Sequence, residues 1–472
     1  MSGLPVLRRY QSQVAFAVFE SARERKGLTF TVEIARQGGK NEISAQTGVW
    51  LLSGFSKRGG SLVKAAPTFS PQALVSLRRL RERLKDARLP LGWRMEGGNI
   101  VRVGRAQQTF LSAEPSANVV GATADVLLEM DEAQDVDAEK FFKEFRPMGA
   151  TGNATTALYG TPWDGATLLE SMAAENVEME RRDGIRRHFA FDWEAVAAVD
   201  PLYRAYVEGE RERLGGGHPL FRTQYRLLPI AAGEGMFSRS QLARLEGSHG
   251  RLRGPRPGCS YVAGVDVAGE PWGESSGLGA DQAFRQAQGE RPAERGGRDS
   301  TVVTIGEVEY GLRADAPVVR VVEHYRWTGE PHHALTGSLV DLLQRRWRCR
   351  RVVVDATGLG TGIASGLVRA MGGAVEPFVF TAGSKSSLGF DLLAAVNSGR
   401  LSAYAGDGSA EHVEFRREME LAQARYRVNQ TMDFFVEASR GHDDYLMSLA
   451  LAVRAAGSAP RAARGRVAFD GG

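Results

Sequence analysis

The stretch VLLEMDEAQDV, residues Val126 to Val136, decides how this chain is read. Four apolar residues interrupted by Glu129 lead into an adjacent carboxylate pair, Asp131 and Glu132, the pattern of a buried strand that ends by pushing two acids past its tip. In a parallel sheet, ligands gather in the crevice outside the carboxyl ends of the strands. A carboxylate there can hold Mg²⁺ on a nucleotide, and a second acid beside it can polarise an attacking water. Asp131 suits the first task and Glu132 the second. Acids in the first turn of a helix, where they complement the macrodipole, are the plain alternative.

Upstream, Thr29 to Ala35 alternates Phe30, Val32 and Ile34 with polar residues, which predicts a strand. It runs into Arg36-Gln37-Gly38-Gly39-Lys40-Asn41 ahead of a helix-like segment. Strand, glycine loop with lysine, then helix is the layout of a phosphate-binding loop: backbone N–H groups and the helix N-terminus face the anion, and the lysine adds a point charge. Against the pattern G-x-x-x-x-G-K-[ST], Ile34 stands at the first glycine position and Asn41 at the hydroxyl position. A third strand, Ala154 to Tyr159, ends in Gly160-Thr161-Pro162 and would bring a hydroxyl beside the other two tips. Helical spacing is clear in Arg8 to Lys26 and in the leucines after Ser70-Pro71, namely Leu74, Leu77, Leu80 and Leu84.

Composition sets outer bounds. A chain of 472 residues exceeds one hydrophobic core, so two or three domains are expected. Apolar residues make up 43% and charged residues 25%, ordinary for a globular protein, with no apolar run near bilayer length and no secretory pattern in MSGLPVLRRY. Cys259 and Cys349 are the only cysteines, which excludes a disulfide framework and a cysteine zinc knuckle. The net charge of +4 tolerates a polyanionic partner without requiring one.

A second carboxylate series follows a linker near Gly254 to Gly258. Tyr261 to Val267, YVAGVDV, is a strand carrying Asp266 between apolar neighbours, and a buried acid is costly unless paired or ligating a cation. Gly269 to Gly297 reads as a long glycine-rich loop. Strands follow at Thr301 to Ile305, with Asp299 ahead of it, and at Val318 to Tyr325. A helix around His333 to Arg346 leads to the strand Arg351 to Asp355, and the chain closes with a helix opened by Gly441-His442-Asp443-Asp444-Tyr445. The glycine run ATGLGTG after Asp355, with Glu376 about twenty residues on, leaves a dinucleotide fingerprint open as a weaker alternative. Three strands, a helix, an acidic strand and a final acidic helix form a ribonuclease-H-like order. Acids from different elements there converge and can hold two divalent ions about 3.5–4 Å apart.

ARQGGKNE, LLEMDEAQ and TTALYGTP, in that order, resemble the ATPase motor of tailed-bacteriophage terminase large subunits, and the second half resembles the nuclease domain of that family. The resemblance implies an α/β protein. A P-loop, RecA/ASCE-like ATPase domain would span 1–165, a lid and linker 166–258, a ribonuclease-H-like nuclease 259–457 and a basic tail 458–472. It implies ATP and Mg²⁺ as cofactors, with Mn²⁺ an alternative at the nuclease site. Arg36, Gln37, Gly38, Gly39, Lys40, Asn41, Asp131 and Thr161 would bind nucleotide. Lys40 would lie on the phosphates, Asp131 on magnesium, Glu132 would be the catalytic glutamate, and Thr161 would couple hydrolysis to DNA movement. Asp266, Asp355 and Asp443 or Asp444 would ligate the nuclease metals, with Asp299 and His442 as outer members and Lys385 contacting DNA phosphate. No arginine stands at Val119 to Gly121, where the family carries its arginine finger, leaving Arg102, Arg105 and Arg146 as candidates. Implied partners are double-stranded DNA, a portal protein, a small terminase subunit and further copies of the chain in a ring, in the host-cell cytoplasm and without a membrane. Arg461, Arg464 and Arg466 in the tail could touch DNA or the portal. The rivals are an ATP-dependent nuclease or helicase of another system, and a docking subunit whose motor has decayed at Ile34 and Asn41.

Overall fold

Strands that are buried on both faces read as near-continuous apolar runs, and those runs build two separate sheets here. The computed structural model describes residues 3–119, 121–230, 235–268, 300–310, 316–427 and 429–458. The first sheet contains β1 (Thr29–Ile34), β2 (Gly60–Ala66), β3 (Arg94–Glu96), β4 (Ile100–Val103), β5 (Ala106–Ser112), β6 (Leu127–Met130), β7 (Thr155–Gly160) and β8 (His188–Phe191). Its order is β3-β4-β5-β2-β6-β7-β1-β8. From β5 to β8 every neighbouring pair is parallel, while β3 and β4 add an antiparallel edge.

One strand, β7, separates the lysine-loop strand β1 from the acidic strand β6, the RecA/ASCE-like order. The parallel register aligns Glu33 with Gly160 and Met130 with Leu158, so the ends of β1, β7 and β6 open on the same edge. Helices Arg9–Glu24, Lys40–Phe55 and Leu74–Ala87 pack in sequence on one another. Val63, Leu128, Met130, Leu158, Phe141 and Phe145 belong to one buried cluster of this unit.

Two local expectations change. His188–Phe191, which falls in the stretch read as lid and linker, pairs in parallel with β1 from Thr31 to Ile34 and completes the first sheet. Only Phe189 of this edge strand is fully buried, so it lacks the apolar run that marks its inner neighbours. The helix after Ser70-Pro71 becomes regular only at Leu74, after a wide turn over Phe69–Ala73.

The second unit is built on β9 (Ser260–Asp266), β10 (Ser300–Glu309), β11 (Val318–Thr328), β12 (Arg351–Asp355), β13 (Val375–Phe378) and β14 (Leu401–Ala403). Their order is β13-β12-β9-β10-β11-β14, with β9, β10 and β11 antiparallel and β12 parallel to β9. This is the ribonuclease-H-like sheet. A hairpin of β15 (Gln423–Tyr426) and β16 (Met432–Phe435) stands apart from it. The last helix, Asp444–Ser458, lies across β9 and β10 with its backbone so close that a Cβ on Gly264 would come within 2.1 Å of the Ser448 carbonyl oxygen. The helix Ala382–Asn397 begins ahead of its apolar run because Thr381 caps it, accepting the Ser384 N–H at 3.1 Å. Among the described residues no helix is long and apolar enough to cross a membrane.

Candidate functional sites

The lysine loop owes its shape to alternating backbone handedness. Gln37 and Gly39 are left-handed, at φ 64° and 96°, with Gly38 between them. Alternation of this kind turns successive N–H groups toward one side as an anion-binding nest, and the helix from Lys40 adds its unsatisfied N-terminal donors. The outward carbonyls are held by side chains from elsewhere in the unit. Tyr10 donates its hydroxyl to Gly38 O at 2.6 Å, Gln11 Nε2 donates to the same oxygen at 3.2 Å, and Tyr203 donates to Arg36 O at 2.9 Å. The left-handed φ at Gly39 favours glycine, and a Cβ there, 2.3 Å from Gln11 Nε2, would push that amide off the Gly38 carbonyl.

At the tip of β6, Glu132 is also left-handed, at φ 45°, and its Oε2 lies 3.2 Å from Lys40 Nζ. Gln134 Nε2 donates to that same oxygen at 3.0 Å, while Gln134 Oε1 accepts the Thr161 N–H at 3.3 Å. One side chain thus joins the end of β7 to the acid at the end of β6. A Cβ on Gly160 would sit 2.1 Å from Gln134 Oε1, so the glycine clears its path.

Asp131 is buried and its Oδ2 accepts from Ser76 Oγ at 2.8 Å, with Lys64 Nζ at 3.5 Å. Burial pushes this carboxyl up, but the Lys64 and Lys40 ammonium groups and the Ser76 hydroxyl outweigh it and hold the group below its ordinary range. Asn41 Oδ1 is a second acceptor within reach of the Ser76 hydroxyl, at 3.1 Å. Deeper in, Lys64 donates to Ser44 Oγ at 2.8 Å and Ser44 donates to Glu129 Oε2 at 2.8 Å. Burial drives Glu129 upward. Arg36, Lys40, Asn41, Asp131, Glu132 and Thr161 line one cleft of about 330 Å³, within the size range of small-molecule sites.

Arg102, Arg105 and Arg146 do not line this cleft. Arg102 pairs with Glu96, and Arg146 lies over the Phe142 ring. Lys64, Ser44 and Ser76 escaped the sequence reading. Lys64 did leave a trace, a lysine inside the apolar strand SLVKAA, while Ser76 left none.

In the second unit, Asp266 ends β9 and Asp355 ends β12. These adjacent parallel strands are in register up to Val354 and Val265, so the two acids project from neighbouring tips. Asp444 opens the last helix after Asp443, and its Oδ2 accepts the Ser300 N–H at 3.1 Å where β10 begins. Burial raises Asp266 well above the usual carboxylate range, and its strongest charged neighbours, Asp444, Asp355, Asp443 and Glu418, all push the same way. Asp355 is raised by burial while accepting the Thr357 N–H at 2.8 Å.

Glu418 is a further acid that the sequence reading missed. It is buried and pushed up to about 9, by burial first and then by Asp444 and Asp443. Its Oε2 accepts the Leu446 N–H at 2.9 Å, and its Oε1 has no hydrogen-bond partner. Helical spacing with Phe415 and Ala422 was the available signal.

Among the described residues, no three carboxylate, imidazole or thiol groups stand at ligating distance of one point. The fit to a metal rests instead on the donor set: crowded hard oxygen ligands of one sign, one of them an orphaned buried oxygen, which divalent cations would neutralise. Lys385 pairs with Asp433 at 3.1 Å and lies over the Phe434 ring. His442 precedes the Asp443-Asp444 pair, while Asp299, Arg461, Arg464, Arg466 and the glycine-rich loop lie outside the described residues.

No protein-family model matches the chain, and no curated protein matches it by sequence. Among solved structures, the large terminase of a thermophilic bacteriophage is similar over 95% of this chain and 99% of its own, with TM-score 0.53 and 13% identity. The same phage protein in complex with ATP-gamma-S matches over the same shares, with TM-score 0.51 and 14% identity. The chain has the fold of these large terminases, two successive α/β units each built on its own sheet.

Proposed function

We propose that the chain is the large subunit of a bacteriophage DNA-packaging motor. It hydrolyses ATP to drive double-stranded DNA into a procapsid and cuts concatemeric DNA with a metal-dependent endonuclease. The observation that carries this is the cleft in which the lysine loop meets the acids of β6 with Lys40 and Glu132 in contact, on a chain that also brings Asp266 and Asp355 to adjacent strand tips.

In the first unit, Lys40 and the loop N–H groups bind and orient the phosphates, and Glu132 holds the attacking water and accepts its proton. Asp131, with Oδ2 engaged by Ser76 and Lys64, would hold magnesium, which supplies charge neutralisation on the transferred phosphoryl group. Gln134 links Glu132 to Thr161, a route by which hydrolysis can move the end of β7. In the second unit, Asp266, Asp355 and Asp443 or Asp444 would hold divalent ions that activate water for phosphodiester cleavage. Lys385 is left as a DNA-phosphate contact that would first exchange its Asp433 partner.

DNA contacts of this kind are mostly to phosphate and weaken with salt. The first unit extends past the expected boundary at 165 to take in His188–Phe191, the nuclease unit follows 258 with a tail from 458, and the partners are a portal protein, a small terminase subunit and further copies in a ring, in the host-cell cytoplasm. ATP turnover with and without double-stranded DNA, beside cleavage of plasmid in Mg²⁺ or Mn²⁺, tests the assignment. Lys40→Ala and Glu132→Ala should each lower turnover at least about a hundredfold and spare cleavage, while Asp266→Ala does the reverse. Turnover that survives both ATPase substitutions would remove the first site.

A further inference from the structure

The pattern that Lys40 belongs to normally places a serine or threonine hydroxyl directly after the lysine, where it joins the magnesium shell and bonds the acid of the neighbouring strand. This chain has Asn41 there. A hydroxyl is nonetheless present at that point, supplied by the helix Leu74–Ala87. Ser76 Oγ stands 2.8 Å from Asp131 Oδ2 and 3.1 Å from Asn41 Oδ1, at 4% exposure.

Its neighbours Pro71, Gln72 and Val75 line the same cleft as Lys40 and Glu132. Ser76 Oγ, Asp131 Oδ2 and Asn41 Oδ1 thus stand together as three hard oxygens, with the Lys64 ammonium 3.5 Å from the carboxylate. That is a set a divalent cation completes.

We propose that Ser76 replaces the missing loop hydroxyl. A lone pair of its Oγ would ligate the nucleotide-bound magnesium while the hydroxyl keeps its proton and donates it in a hydrogen bond to the Asp131 carboxylate, and Asn41 acts as its positioning partner. The inference rests on the nucleotide reading of the cleft.

The test measures nucleotide-dependent Mn²⁺ binding by electron paramagnetic resonance, using ATP-gamma-S and the full chain. An Asp266→Ala background silences the second metal site, and thermal melts establish folding. Ser76→Ala should weaken this Mn²⁺ binding about tenfold. The double variant Ser76→Ala, Asn41→Thr, which returns the hydroxyl to the loop, should recover it to within about twofold. Unchanged Mn²⁺ affinity in Ser76→Ala overturns the proposal, as does a folded double variant no tighter than the single one. Absence of nucleotide-dependent Mn²⁺ binding in the parent chain removes the nucleotide site itself, and that result is distinct from either.

Discussion

The two acidic strand tips use the same side chains in opposite electrostatic settings. At the end of β6, Asp131 has a buried lysine on the adjacent strand and is held below its ordinary range. At the end of β9, Asp266 has acids for its strongest charged neighbours and is raised. A site with its own cation is organised before any ligand arrives, whereas a site of like charges is under repulsion that bound metal relieves. The first should therefore depend on its lysine for stability and the second on its ions.

The sharpest way to break this contrast is to remove one charge from each side. Lys64→Met leaves Asp131 and Glu129 buried without their ammonium partner and should destabilise the first unit by about 3 kcal/mol in urea unfolding. Asp266→Asn removes one of several repelling acids and should raise the melting temperature of the chelated protein. Shifts of the same sign in both variants would mean that the two tips are not electrostatically opposed.

A smaller effect is expected with pH. Glu418, at about 9, and Asp266, raised as well, keep protons in the folded chelated protein that the unfolded chain has already released. In that window the native state binds more protons, so stability falls as pH rises from the ordinary carboxylate range toward 9. Melting temperatures in chelator should decline over this interval, and Glu418→Gln should flatten the slope. Saturating Mg²⁺ or Mn²⁺ should reverse the decline, and a profile indifferent to metal would detach Glu418 from the cluster.

The smallest expected change concerns the loop. Tyr10→Phe keeps the ring packing against Phe191 and loses the bond to Gly38 O together with a longer one accepted from Arg8 at 3.4 Å. It should raise KM for ATP about fivefold with kcat nearly unchanged, the worth of one buried hydrogen bond. A matching loss in ATP-over-GTP preference would instead assign the tyrosine to base recognition.

Much of both sites was readable in advance because a buried parallel strand is an apolar run and its exit is marked by the first polar residues. The positions of Asp131, Asp266 and Asp355 at strand ends were legible in this way. Partners reached across the fold were not. Ser76 sits in an ordinary amphipathic helix, Glu418 in a charged one, and His188–Phe191 is too weakly apolar to announce a strand. Lys64 was visible as an anomaly, but its meaning depends on the register that sets it opposite Glu129.

Local pattern along the chain was enough to decide the two α/β units, the lysine loop and the acids at the strand ends, since each follows from periodicity and a terminating residue within one segment. Tertiary structure alone decided which charges meet. It set Lys64 and Ser76 against Asp131, Gln134 between Glu132 and Thr161, and Glu418 behind Asp444. The physical reason is that an electrostatic partner is chosen by distance in space, and strand order and helix packing set that distance without leaving a periodic mark in the sequence.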